Sequence, residues 1–301
     1  MSGTTPKKPK MTNEDYAAQF GTQMALVNSV PELSSMFKLA VKEGWTSTTF
    51  NAKFQNSKWY KKYGPAYATA ESIFKSNKPL WDIQTRDAKS RIERDAATLG
   101  VTLTSAQVNA LATSTLYLSS GMANQIDSNM LTQHIVETGK ISGTAGQAAT
   151  DIADLKAHAR NMGVEDIHSD QWYTNATAAT LKGHATLDDY KNQMQENAKS
   201  KYGAIADKLD WTTGKTVQFY ADPYMRTLDN LWERGPGSTK LTDDAVTKAL
   251  TSVDTSNKPV MKPLWEFQQW AKSQDPYFKT NQSRSDMLDI ANAIGQSFGK
   301  I

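Results

Sequence analysis

The side chains that could carry chemistry include four histidines, which are His134, His158, His168 and His184. They lie far apart in the sequence, and none has the His-Glu-x-x-His spacing that places two zinc ligands on one helix face. We therefore interpret them as surface or helix-capping residues and predict no metal or cofactor site. Cysteine is absent, which excludes disulfides, thiolate zinc sites and a cysteine nucleophile.

Two pairs of adjacent aspartates, Asp188-Asp189 and Asp243-Asp244, are candidate catalytic carboxylates. Each pair lies where a helix is predicted to begin, and the helix dipole favours negative charge there, so capping explains them better than acid–base catalysis. A lysozyme-like pair of one glutamate with a nearby aspartate or threonine stays open, because only folding brings such pairs together. The segment Gly143–Gly146 lacks the strand and the Gly-Lys-Ser/Thr of a phosphate loop, and we interpret it as linker.

The composition limits the remaining function classes. The 301 residues carry 34 lysines and arginines against 31 aspartates and glutamates, and this balance argues against nonspecific nucleic-acid binding by the whole surface. The mean hydropathy of −0.58 is typical of a water-soluble chain long enough to bury a core. No run of about 18 apolar residues predicts a membrane span, and the first residues lack the apolar part of a standard secretion signal.

The elements that must position any site begin with residues 31–60, which predict two helices joined at a glycine. Pro31 suits a first helical position, Gly44 ends that helix, and Thr46 can cap the next one. The apolar residues of the second helix recur near the four-residue spacing of one helix face, at Phe50, Phe54 and the pair Trp59 and Tyr60.

The same pattern recurs around Gly121 and Gly183. Apolar side chains stand four and eight positions beyond Thr46, Met122 and Thr186. No stretch of alternating β-branched residues indicates a sheet. The sequence therefore predicts an all-α fold, a multi-helical array of helix–Gly–helix hairpins with two helical subdomains.

The predicted organisation has four segments. These are a disordered basic arm (1–11), an N-terminal helical domain (12–138), a linker of small residues (139–150) and a C-terminal helical domain (151–301). The arm is either a solvated tail or a segment that contacts DNA or a neighbouring protein, through Lys7, Lys8 and Lys10. Within the domains, Gly64-Pro65 predicts a turn and Pro223 predicts a broken or kinked helix.

Several short segments, in a fixed order over most of the chain, resemble virion proteins of tailed bacteriophages, particularly those that infect actinobacteria. They are Pro31-Glu32-Leu33 with Gly44-Trp45-Thr46 and Phe50, Ser57–Tyr60, Leu99–Thr104, Ala221–Tyr224, and Leu264–Phe267 with Asp275-Pro276. The resemblance implies a structural or internal virion protein, made in the host cytoplasm and ejected with the genome if it is internal. Cell-wall-degrading domains are sometimes joined to such proteins; none is evident before Ile301, so we expect a non-enzymatic role.

The eight tryptophans stand mostly beside turns or on apolar stripes, where they anchor packed helices or subunit interfaces. We predict self-association and binding to other virion proteins through Trp45, Phe50, Trp59, Tyr60, Tyr224, Trp265 and Phe267. A virion-associated peptidoglycan-degrading enzyme is the alternative.

Overall fold

The structure is a computed structural model that describes residues 12–20 and 24–298. Within these residues the fold is all-α, as predicted: sixteen α-helices are accompanied by four strands of two residues each. The predicted basic arm, with Lys7, Lys8 and Lys10, lies outside the described residues.

The described chain divides into two compact units. Unit 1 runs to Thr150 and includes Leu181–His184, and unit 2 comprises Asp151–Thr180 and the residues from Ala185 onward. The first eight helices are α1 (Asn13–Phe20), α2 (Met24–Ser29), α3 (Pro31–Glu43), α4 (Ser47–Asn56), α5 (Lys58–Ser76), α6 (Lys78–Leu99), α7 (Ser105–Leu118) and α8 (Ser128–Thr138).

The remaining helices follow a short antiparallel ladder in which β1 (Val101–Thr102) pairs with β2 (Lys140–Ile141). A second ladder, β3 (Ser252–Val253) with β4 (Pro259–Val260), lies in unit 2. The later helices are α9 (Gly146–Asn161), α10 (Asp170–Leu181), α11 (Leu187–Lys201), α12 (Val217–Leu231), α13 (Asp244–Leu250), α14 (Leu264–Lys272), α15 (Asp275–Phe278) and α16 (Asn281–Phe298).

Threonine caps and left-handed glycines define the helix ends, as the sequence indicates. Thr46 accepts a hydrogen bond from the backbone N–H of Thr49, and Thr104 and Thr186 form capping boxes that satisfy two free backbone donors each. Gly44 and Gly100 have φ of 67° and 75°, a conformation that glycine adopts without strain.

The small residues of 139–150 do not form a linker. Residues 140–141 belong to the first ladder, and α9 begins at Gly146. A Cβ atom on Gly146 would lie 2.4 Å from the backbone nitrogen of Gly100, and one on Gly139 would lie 2.3 Å from the Cγ1 of Val101. Small residues are required here because backbones approach closely, and composition alone does not separate that need from flexibility.

The turn predicted at Gly64-Pro65 is wrong, because α5 continues through it, and α12 is not broken at Pro223. Each proline removes one intrahelical hydrogen bond, but buried side chains on both sides of it keep the helix together, such as Trp59 and Ala70 in α5. Tertiary packing thus outweighs the local preference of proline for a helix end.

Candidate assembly surface

The aromatic residues of the two-helix stretch pack with one another inside unit 1. The rings of Phe20 and Phe50 stack with centroids 4.4 Å apart, and Phe54 lies 6.1 Å from Phe50 and 5.8 Å from Trp59. Phe50 is only 1% exposed. The prediction that Phe50 and Trp59 are interface anchors is therefore wrong for the folded unit, because helices of the same unit already cover them.

Trp45 and Tyr60 are half-buried against the same core. The indole N–H of Trp45 donates to the carboxylate of Glu43 over 2.7 Å, and the Nζ of Lys53 lies 4.7 Å from the centre of the Trp45 ring. The ring of Tyr60 packs edge-on against Phe54 at 5.1 Å. Contacts within unit 1 thus already bury part of the Trp45 ring and part of the Tyr60 ring.

The predicted anchors of unit 2 are divided between the core and the surface. Tyr224 and Phe267 are buried with their rings edge-to-face at 5.0 Å, and the hydroxyl of Tyr224 donates to the carbonyl of Lys262 over 2.5 Å. Both residues are core residues, which corrects the prediction. Trp265 is 66% exposed and is the one predicted anchor that lies open at the surface. Trp265 and Phe267 face nearly opposite directions because they are two residues apart and a helix turns by about 100° per residue.

A larger apolar surface lies on α16 and is absent from the predicted site. Its exposed side chains, which we call the α16 face, are Met287, Leu288, Ile290 and Ile294. Met287, Ala291 and Ile294 follow a four-then-three spacing, which is the spacing of a coiled-coil seam. The amphipathic pattern of the last helix is the sequence signal that could have identified this face.

The start of α16 is fixed to the rest of unit 2. The carboxylate of Glu233 accepts hydrogen bonds from the backbone N–H groups of Asn281 and Gln282, over 3.0 and 2.9 Å. Ser283 is buried, and the hydroxyl of Tyr277 donates to Asp286. Beyond Asp286, every described side chain up to Ser297 is exposed.

This exposed extension of α16 is about twelve residues long, or about 18 Å. A helix of that length is marginal in water when no other element packs against it, because nucleation is costly and few hydrogen bonds follow. Its apolar side chains also remain in contact with water, which is unfavourable. The α16 face therefore has the properties of a helix that packs against a partner.

Carboxylates that could act in catalysis line a cavity in the described part of unit 2. This cavity measures about 900 Å³, and its lining includes Glu165, Asp222 and Asp229. Asp222 pairs with Arg226 at 2.7 Å. Asp229 is buried, and its carboxylate accepts hydrogen bonds from the N–H of Gly237 and from the N–H and hydroxyl of Thr239, over 2.7, 2.9 and 2.7 Å.

Burial disfavours the charged form of Asp229, but these hydrogen bonds outweigh it and place the pKa of Asp229 below its usual value. Asp229 is thus an ionised carboxylate that holds the loop at residues 235–239. A glycosidase general acid requires the opposite, a carboxyl group that stays protonated near neutral pH. The geometry indicates a structural role for Asp229.

The prediction that all four histidines are surface or capping residues is wrong for one of them, which is buried. His158 is buried beside Trp211, with ring centroids 5.3 Å apart, and burial followed by the nearby charge of Lys191 lowers the pKa of His158. No group of three or more potential ligands could hold a metal ion among residues 12–20 and 24–298. The same residues contain no helix that is long and apolar enough to cross a membrane.

Comparison of the chain with family models, with curated proteins and with solved structures yields no match.

Proposed function

We propose that this protein is a structural component of a tailed-bacteriophage virion, which assembles with itself and with other virion proteins. The resemblance of the segments Pro31–Leu33, Ser57–Tyr60 and Leu264–Phe267 to such proteins supports the assignment to a particle. We further propose that the protein is made in the host cytoplasm, lies inside the phage particle and is ejected with the genome.

The observation that carries the assembly role is the α16 face. A helix that extends by about 18 Å with exposed isoleucine, leucine and methionine gains stability only when another apolar surface covers it. A second copy of α16 fits this requirement, because a symmetric pair brings the same stripe together twice. Trp265, exposed at the start of α14, adds an aromatic group suited to contacts with other virion proteins.

The direct test combines three measurements on one purified sample. Sedimentation over a hundredfold range of concentration is expected to show a mass that grows beyond 33.3 kDa. Antibody detection is expected to find the protein in washed phage particles. Cell walls incubated with the same sample are expected to stay intact.

Two results would contradict the proposal. A protein that stays monomeric at every concentration and is absent from washed particles has no structural role in them. A monomer that clears cell walls supports the peptidoglycan-degrading alternative, and replacement of single glutamates then locates the catalytic acid.

A further inference from the structure

The net charge of +3 conceals an uneven distribution along the chain. Over the whole sequence, the residues assigned to unit 1 hold 17 lysines and arginines against 11 acids, and those assigned to unit 2 hold 17 against 20. Residues 1–78 alone contain eleven lysines, five acids and no arginine. The excess positive charge of unit 1 therefore belongs to its first part, which includes α3, α4 and α5.

Seven lysines of these three helices are exposed. Lys75 pairs with Glu71, and we call the other six the lysine surface: Lys38, Lys42, Lys53, Lys58, Lys61 and Lys62. None of them forms a salt bridge within the described residues. The only acids between residues 31 and 70 are Glu32 and Glu43.

Both of these glutamates are engaged in local structure. The carboxylate of Glu32 accepts hydrogen bonds from the backbone N–H groups of Lys58 and Trp59, over 2.9 and 3.0 Å. Glu43 accepts from the indole of Trp45. Glu32 therefore caps the start of α5, and neither glutamate forms a salt bridge with any of the six lysines.

Three members of the lysine surface stand together on α5. Lys58, Lys61 and Lys62 are three and four positions apart, which places them on one ridge, and the core-facing side of the helix carries Trp59 and Ala70. Like charges at this spacing repel one another, and cations near a helix N-terminus oppose the helix dipole. The three lysines thus destabilise the start of α5 at a solvent-exposed position, which is typical of residues that serve binding.

Helix α6 shows the usual arrangement for comparison. Its Lys78 pairs with Asp82, and Arg91 lies 3.6 Å from Asp95, each four residues further along the helix. Three of the five cations of α6 are thus ion-paired, with Arg94 also beside Asp95, whereas the three lysines at the start of α5 form no ion pair. The difference argues that the α5 lysines face an external anion.

We propose that the lysine surface binds the phosphate backbone of duplex DNA without sequence preference. Lysine presents a flexible point charge suited to single phosphates, whereas base recognition relies on bidentate side chains such as arginine, which residues 1–78 lack. The N–H groups at the start of α5 are already occupied by Glu32 and Ser57, so the lysine side chains supply the site.

An anionic membrane is a less suitable partner for this surface. Membrane-surface helices insert an apolar face between the headgroups, but the apolar faces of α3 and α5 lie in the core of unit 1. Among the described residues 31–78, Leu39 is the only large apolar side chain that is exposed. The DNA proposal is independent of the particle assignment, because it rests on a different surface and is tested with purified protein.

The test measures binding of the full chain to a fluorescent 30-base-pair duplex of random sequence over a range of salt concentrations. The variant Lys58→Gln/Lys61→Gln/Lys62→Gln is expected to lower the slope of log affinity against log salt by about 2 to 3, since each phosphate contact contributes about 0.9. The matched control is a triple lysine-to-glutamine variant at exposed, unpaired positions of unit 2, namely Lys208, Lys258 and Lys279. The control is expected to change the slope by less than about 0.5.

The proposal is overturned if the wild type does not bind DNA at about 50 mM salt, or if both triple variants lose the same amount of DNA affinity. It is also overturned if replacing Lys7, Lys8 and Lys10 alone abolishes DNA binding, because the site would then lie on the arm. Binding to phosphatidylglycerol vesicles but not to DNA would also overturn it and identify a membrane as the partner. Urea unfolding shows that each variant is folded, and the α5 variant is expected to be no less stable than the wild type because repulsion is removed.

Discussion

Replacing Ile290 and Ile294 with glutamine should weaken self-association strongly. The two side chains are 60% and 51% exposed in the single chain, so about half of each remains to be buried by a partner. Full burial of an isoleucine contributes about 1.5 to 3 kcal/mol, and the exposed half therefore contributes about 1 kcal/mol. In a symmetric pair both copies lose two such contributions, or about 4 kcal/mol in total, which corresponds to a rise of about 1,000-fold in the dissociation constant.

The assay is equilibrium sedimentation of wild type and variant over the same concentrations. The chain offers a matched control on other surfaces, because Ile83 and Ile167 are 44% and 50% exposed. The variant Ile83→Gln/Ile167→Gln makes the same chemical change and is expected to self-associate like the wild type. The reasoning is refuted if both double variants weaken association equally, or if the Ile290→Gln/Ile294→Gln variant associates as tightly as the wild type.

Three further predictions concern the folded units. Asp229→Ala is expected to cost about 3 kcal/mol in urea unfolding, since three donors lose their acceptor and two of them belong to the buried Thr239. Asp222→Ala, at an exposed pair, should cost under about 1 kcal/mol. Because the folded pKa of Asp229 is lowered, its carboxylate stabilises the fold above the unfolded pKa of about 3.9, and this contribution is lost as the pH falls through the folded pKa. Asp229→Asn should therefore reduce the loss of unfolding free energy between these two pKa values, and an unchanged dependence of unfolding free energy on pH contradicts the assignment. Gly44→Ala should cost about 1 kcal/mol for the left-handed backbone alone, whereas Gly100→Ala should cost about 3 kcal/mol or more, since its Cβ would lie 2.0 Å from the carbonyl oxygen of Ala145. Equal losses in the two glycine variants would contradict this packing.

Helix type and helix ends follow from local chemistry and could be predicted. Thr46, Thr104 and Thr186 cap helices because a side-chain oxygen can accept from an N–H three residues later, and Gly44 and Gly100 end them because glycine adopts positive φ. These interactions span only a few residues, so the sequence contains all the participants.

Whether an apolar stripe is buried or exposed in the folded chain could not be predicted in the same way. Phe50 and Phe54 on α4, and Ile290 and Ile294 on α16, share the four-residue spacing, yet the phenylalanines are buried and the isoleucines are exposed. Periodicity shows that a helix has an apolar side, but only the arrangement of the other helices shows whether the chain itself covers that side. The same limit applies to Tyr224 and Phe267, which belong to the core.

The α16 face and the lysine surface share one physical feature, which is that each is unfavourable for the isolated chain. Exposed isoleucines leave apolar area in water, and clustered lysines at a helix start repel one another. A chain that acts alone gains nothing from either, whereas an apolar helix and a polyanion would each convert one of them into binding free energy. Since one surface responds to apolar-to-polar substitution and the other to salt, the isoleucine and lysine variants separate the two roles within the same protein.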